Sequence, residues 1–315
     1  MTNPPQPAIV ANGLTKSFPG VRAVDALSFD VCSGEIFGLV GPDGAGKTTT
    51  LRMLAGIMPP DAGNATIAGY DVVHNPEGAK HALSYMPQRF GLYEDLTVDE
   101  NIRFYADLFG VKRIERQERS TQLLEAAGLT EFRKRMAGKL SGGMKQKLGL
   151  VCALIHRPKV ILLDEPTTGV DPVSRRDFWR ILYELVSEGV AILTSTAYLD
   201  EAERCHRVAL IHQGKLLFCD QPAKLKAGMS KGVLSVTGPE PRSLRRLLEH
   251  AAGISRLVLT GDGLHVVVDD AARRIPQFEA HLRSAQVKFD AVQKVEPTIE
   301  DLFVDAVGCG DSAHA

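Results

Sequence analysis

The stretch Ile36-Phe37-Gly38-Leu39-Val40-Gly41-Pro42-Asp43-Gly44-Ala45-Gly46-Lys47-Thr48 decides how this chain folds. Its first five residues are apolar and bounded by turn signals, which predicts a short buried strand. A complete G-x-x-x-x-G-K-T pattern follows at once, and a helical stretch runs from Lys47 to about Gly56. Strand, glycine-rich turn and helix in that order make a phosphate cradle. The glycines let backbone N–H groups turn inward around phosphate oxygens, and the helix N-terminus adds partial positive charge. In such a loop Lys47 reaches the β- and γ-phosphates, the Thr48 hydroxyl binds Mg²⁺ and Thr49 hydrogen-bonds the α-phosphate.

Downstream, Leu140-Ser141-Gly142-Gly143-Met144 sets a second Ser-Gly-Gly turn at the head of a helix. Val160-Ile161-Leu162-Leu163-Asp164-Glu165-Pro166-Thr167 then reads as an apolar strand ending in two carboxylates. At a strand end beside the phosphate loop, Asp164 emerges next to the Mg²⁺ shell. Glu165, one residue on, can polarise a water for in-line attack on the γ-phosphate. Taken alone, the acids could merely cap the helix after Pro166, and Ser141 could be an ordinary N-cap. The second turn has no evident ligand within its own chain. It makes sense closing over the nucleotide of a partner.

Apolar strands at Val160–Leu163, Val190–Thr194 and Val208–Ile211, with a helix over about Val173 to Ser187 between the first two, predict an α/β fold with a parallel, helix-covered sheet. Residues 97–150 are helix-rich, punctuated at Gly110, Gly128 and Gly138. Past Pro222 the pattern changes to strand (Val233–Thr237), helix (Ser243–His250), a hairpin of Leu257–Thr260 and Leu264–Val268 around Gly261-Asp262-Gly263, helix (Ile275, Phe278, Leu282) and strand (Val287–Val292). That β-α-β-β-α-β order predicts a small C-terminal α+β domain. Thr298-Ile299-Glu300-Asp301 can cap a short final helix, and the tail 308–315 is expected to be disordered.

The chain has 315 residues, a formal net charge of −1 and 44% hydrophobic residues. Length predicts two domains at roughly 150 residues each. Near-neutrality argues against wholesale polyanion binding, and basic runs such as Arg133-Lys134-Arg135 read as solvated helix faces, so no nucleic-acid partner is expected. No apolar run approaches the roughly 18 residues of a membrane span, and the N-terminus lacks the pattern of a secretory signal; cytoplasmic residence is expected. Five cysteines without a C-x-x-C pair read as thiols of a reducing compartment, and no histidine spacing suggests a metal site.

With the phosphate loop, LSGGM at 140–144, VILLDEPT at 160–167 and Gly169-Val170-Asp171-Pro172, the chain resembles the ATPase subunit of an ABC transporter over about residues 8 to 225. The resemblance implies a P-loop ATPase core at 8–228 with a helical subdomain at about 89–150, followed by the α+β domain at 230–307. It implies ATP and Mg²⁺, with Gly41, Pro42, Asp43, Gly44, Ala45, Gly46, Lys47, Thr48 and Thr49 at the phosphates. Phe18 would stack on adenine and Val24 would pack against the same base. Thr48, Gln88 and, through water, Asp164 would hold Mg²⁺. Glu165 and Gln88 would serve catalysis, with Gln88 also linking to the membrane subunit. Ser141, Gly142 and Gly143 would meet the γ-phosphate of ATP on an opposing subunit, Met144 replacing the commonest Gln, and Asp171 would sit at the seam.

The implied partners are a second ATPase subunit, identical or not, and multi-span permease subunits that would hold the chain at the cytoplasmic face of the membrane. The segment Phe90 to Asn101, with Phe104-Tyr105, resembles ATPases of drug-resistance exporters, as does the ending Glu296 to Phe303. The C-terminal domain itself reads as a dimerisation or stability module. One position departs from the family. Where relatives carry a histidine contacting the γ-phosphate, this chain has Ala197, in Thr194-Ser195-Thr196-Ala197-Tyr198. Either Thr196 or a water takes over that contact, or hydrolysis is slow. The competing reading is a soluble ABC-type ATPase with a regulatory or assembly role outside transport.

Overall fold

The structure is a computed structural model describing residues 7–89, 91–249, 251–261 and 263–311. Strand β1 (Pro7–Phe18) turns at Pro19-Gly20 into β2 (Val21–Cys32), pairing Phe18 with Val21. Strand β3 (Ile36–Val40) has every residue buried and runs through the glycine loop into helix α1 (Lys47–Leu54). Strands β4 (Ala62–Ile67) and β5 (Tyr70–Asp71) complete an antiparallel sheet in the order β2-β1-β4-β5. Helix α2 (Pro76–Ala82), capped by the Asn75 side chain, leads into β6 (Leu83–Met86).

Three helices follow. Helix α3 (Val98–Leu108) starts at a reciprocal Thr97–Glu100 capping box and buries Val98, Ile102 and Ala106, one stripe at helical spacing. Helix α4 (Arg113–Ala126) and helix α5 (Gly142–Leu154) complete this subdomain. Strand β7 (Val160–Asp164), helix α6 (Pro172–Ser187), strand β8 (Ala191–Thr196), short helix α7 (Leu199–Ala202), β9 (Arg207–His212) and β10 (Lys215–Asp220) close the first unit. Its main sheet has the order β10-β9-β3-β8-β7-β6, and β9, β3, β8, β7 and β6 pair in parallel. Strands buried on both faces need continuous apolar runs, which is how β3 and most of β7 read in sequence. Ligands of such sheets gather beyond the C-terminal strand ends, where β3, β7 and β8 deliver Val40, Asp164 and Thr196 side by side.

The chain divides into two compact units, Met1–Glu201 with Cys205–Cys219, and Ala202–Arg204 with Asp220–Ala315. The division thus falls at 219/220 and not near 228. The reason is helix α8 (Pro222–Ala227), which packs on the final helix, while Lys226 pairs with Glu203 at 2.7 Å.

The second unit runs β11 (Gly232–Thr237), α9 (Pro241–Leu248), β12 (Ile254–Leu259), β13 (Gly263–Val268), α10 (Ala271–Ser284), β14 (Ala291–Val295) and α11 (Ile299–Asp311). The sheet order β12-β13-β11-β14, antiparallel throughout, is that of a ferredoxin-like sandwich. Leu234, Val236, Leu244, Val266, Phe278 and Leu282 form its core. The last strand begins at Ala291 and not Val287, because Val287 and Phe289 pack on that core from the preceding loop. Helix α11 continues to Asp311, past the expected start of a disordered tail at 308; residues 312–315 lie outside the described residues. Asp262 of the hairpin and Phe90 also lie outside them.

Candidate active site

The phosphate loop is shaped by one strict backbone requirement. Gly46 stands at φ +103°, and a Cβ there would lie 2.3 Å from the Ala23 carbonyl oxygen, so no other residue fits without moving β2. The loop and Phe18 enclose a cavity of about 530 Å³, lined also by Val21, Ala23, Thr49, Gln88 and Glu165. Asp43, Gly44, Ala45, Gly46, Lys47 and Thr48 form its floor. Gly41 and Pro42 lie outside the lining and act through their carbonyls, which accept from Lys47 Nζ at 2.8 and 3.0 Å. Lys47 is 4% exposed, and Glu165 stands 3.2 Å from its ammonium. A buried ammonium needs such compensation.

The acid pair is organised by the neighbouring strand. Asp164 lies opposite Ser195 in the β7–β8 ladder. Ser195 Oγ donates to Asp164 Oδ1 at 2.7 Å, Thr48 Oγ1 donates to the same oxygen at 3.0 Å, and the Tyr85 hydroxyl donates to Oδ2 at 3.3 Å. Burial, reinforced by the Asp164 charge, pushes the Tyr85 phenol up to about 12, so it remains a donor. Glu165 turns out of the strand at φ +48°, its N–H shared by the Ser195 carbonyl and hydroxyl at 3.2 and 3.0 Å. Gln88 Nε2 donates to Glu165 Oε2 at 2.9 Å. The hydroxyl of Thr48, the carboxylate of Asp164 and the amide of Gln88 form a hard oxygen donor set suited to Mg²⁺, and the first two already adjoin.

Val24, expected at the base, is 1% exposed and belongs to the core behind the loop; Val21 and Ala23 line the cavity in its place. Phe18 is 42% exposed at the cavity edge, which suits a stacking platform and not a core residue. Ser141, Gly142 and Gly143 do not line the cavity. Ser141 caps α5, accepting from Met144 N–H at 3.3 Å, and Ser141 and Gly142 face solvent. Gly143 is pressed on α6, where a Cβ would lie 2.4 Å from Ser174. Asp171 caps α6 through the N–H groups of Val173 and Ser174 at 3.1 and 2.9 Å, and the Ser174 amide leads in holding its carboxyl below the usual range.

Ala197 lies exposed just after β8. Thr196 does not turn its hydroxyl toward the cavity. It is buried, donates to Glu201 Oε2 at 2.9 Å and accepts from Tyr198 N–H at 3.0 Å. In this arrangement the Thr196 hydroxyl is engaged with Glu201 and the Tyr198 amide. Sequence reading also passed over Ser195 and Tyr85. The available signal was three consecutive hydroxyl residues, Thr194 to Thr196, ending an otherwise apolar strand.

Comparison with known proteins agrees with this geometry. The family model described as ABC transporter matches residues 24–168. The chain is 47% identical over 307 residues to the probable multidrug ABC transporter ATP-binding protein YbhF of Escherichia coli (strain K12), covering 95% of this chain and 52% of that protein. It therefore spans about half the length of that relative. It is 39% identical over 269 residues to the Nod factor export ATP-binding protein I of Paraburkholderia xenovorans (strain LB400), covering 85% of this chain and 88% of that one. A solved ATP-binding subunit of an ABC transporter superposes with a TM-score of 0.64 at 30% identity, covering 70% of this chain and 92% of that chain. The protein belongs to the ABC transporter family.

Proposed function

We propose that this chain is the ATP-hydrolysing subunit of an export system and that two such cassettes close face to face over Mg-ATP. The observation that carries the reading is a division of labour. Lys47, Thr48, Gln88 and Glu165 converge on one cavity, while the solvent-facing Ser141-Gly142 turn lies outside it. A phosphate-recognising turn with no phosphate site of its own is explained by a nucleotide held on a partner, with Gly143 beneath it and Asp171 at the seam.

The mechanism follows from the resting contacts. Lys47 exchanges the Gly41 and Pro42 carbonyls and Glu165 for β/γ-phosphate oxygens. Glu165, released from the ammonium, orients and polarises the attacking water on the γ-phosphate. Thr48, Gln88 and, through water, Asp164 would hold Mg²⁺, which would supply neutralising charge at the phosphates. Phe18 stacks on adenine. Closure excludes water and completes each site from two chains. The Ala197 side chain offers no hydrogen bond to the γ-phosphate and Thr196 is engaged with Glu201, so either a water makes that contact or turnover in this cassette is slow. The second cassette is a copy of this chain or a related one.

Gln88 joins Glu165 to the segment that meets membrane subunits, which lodge the chain at the cytoplasmic face of the membrane. Among the described residues no helix is long and apolar enough to cross a membrane, so the translocation path belongs to those subunits. The two relatives whose names specify multidrug transport and Nod factor export support export over import. Purification from detergent-solubilised membranes tests the reading. The chain should be recovered with a multi-span membrane protein and hydrolyse ATP faster in that complex. An equally active chain recovered without such a partner would favour a regulatory or assembly ATPase instead.

A further inference from the structure

Glu201 is 1% exposed and bears a carboxylate, a group that costs several kcal/mol to bury unless it is fully compensated. Its compensation comes from three separate segments. Thr167 Oγ1 donates to Oε1, Thr196 Oγ1 donates to Oε2 at 2.9 Å, and Arg175 Nε stands 3.5 Å from Oε1. Thr167 belongs to the turn that leads from Glu165 to Asp171, and it accepts the Val170 N–H at 3.1 Å through its own carbonyl. Arg175 lies in the first turn of α6 and also faces Asp200 at 3.7 Å and the Tyr198 ring at 4.9 Å. Thr196 ends β8, and its hydroxyl anchors the Tyr198 amide beyond Ala197.

Successive side chains of a strand point to opposite faces. Ser195 therefore grips Asp164 and the Glu165 amide from one side of β8, and Thr196 engages Glu201 on the other. The turn carrying the catalytic carboxylate is clamped at two places, at Glu165 itself and two residues on at Thr167. Glu201 is one of those clamps, and it touches neither the cavity nor Glu165.

We propose that Glu201 is a positioning residue for hydrolysis. It ties the Glu165–Asp171 turn and α6 to the end of β8, and so sets where Glu165 meets the attacking water while leaving ATP binding to the phosphate loop. This rests on the reading of Glu165 as the catalytic carboxylate. The chemistry is purely geometric: no bond to Glu201 forms or breaks.

The test is steady-state Mg-ATP hydrolysis by the full-length chain, with Glu201→Gln, Thr167→Val, Thr196→Val and Glu165→Gln measured alongside thermal melting. Glu201→Gln should lower kcat by about tenfold or more, as expected of a small misplacement of a catalytic group, while KM for ATP stays within about twofold. Thr196→Val should lower kcat severalfold by itself and cost under about twofold more in the Glu201→Gln background, because both remove the same clamp. If Glu201→Gln fails to fold, the two threonine variants and their double carry the same test. The proposal is overturned if Glu165→Gln abolishes turnover while Glu201→Gln and both threonine variants keep kcat within about twofold, or if KM rises in step with the loss of kcat, or if the losses simply add. Undiminished turnover in Glu165→Gln would instead remove the underlying reading of the site.

Discussion

The two units of this chain bury polar side chains for opposite purposes. In the first, Lys47, Asp164, Ser195, Thr196 and Glu201 are all buried around the C-terminal ends of the parallel strands. Lys47 fronts a cavity, and the others surround the segment that carries Glu165. In the C-terminal unit the buried polar residues are Ser235, Arg274 and Asp301 among the described residues, and the charged pair fastens elements together. Arg274 holds both carboxylate oxygens of Asp269, at 2.7 and 2.6 Å, across the start of α10. Asp301 closes a capping box with Thr298 at the head of α11 and accepts from His265 on β13 at 3.1 Å. In the first unit the buried polar groups gather around one cavity and the segment beside it. Where such groups are consumed pairwise between helix and strand, they mark assembly.

Three substitutions press on that contrast. The largest effect on turnover is expected from Glu165→Gln, which keeps the shape and the Lys47 pocket but removes the carboxylate proposed to polarise the attacking water. ATP hydrolysis should fall by about 10²–10⁴-fold with nucleotide binding retained, as read by turnover and by a fluorescent nucleotide. Ala197→His comes next. If the missing imidazole limits the reaction, restoring one donor should raise the hydrolysis rate, by up to about 10²–10³-fold at the upper limit for a single preorganised donor. An unchanged rate would mean that another group already makes that contact. Leu282→Ala should change stability and not turnover. A fully buried leucine in the C-terminal core, once truncated, costs about 2–5 kcal/mol of stability, visible in denaturant unfolding, and ATP turnover should not change. A fall in turnover would show that the second unit contributes to the reaction and break the contrast.

Much of the architecture was legible before any coordinates. The strands at Ile36, Val160 and Val208 are buried on both faces, so their apolar runs are continuous and their ends sharp. The β-α-β-β-α-β order of the second unit was equally plain, because its hairpin and helix periods alternate cleanly. Misreadings cluster where tertiary packing competes with local pattern. Val287 and Phe289 alternate like a strand but serve the core as a loop, and α8 looks like the end of the first domain but packs with α11. Strand β4 went unpredicted, since its Ala62-Gly63-Asn64 start has little strand character and is held by pairing with β1.

By itself, the sequence determined the phosphate loop, the acid pair, the Ser-Gly-Gly turn and the missing histidine, because each depends on residue type at fixed local spacing. Only the tertiary structure decided which hydroxyls and carboxylates face each other. Val24 and Ala23 are adjacent in sequence, yet one is core and the other lines the cavity. Ser195 and Thr196 are adjacent too, yet one serves Asp164 and the other Glu201. The pleat of a strand sends neighbours to opposite faces: Ser195 meets Asp164 from a separate strand, 31 positions away, while Thr196 meets Glu201, whose carboxylate also reaches Thr167, 34 positions from it. No local pattern encodes that meeting.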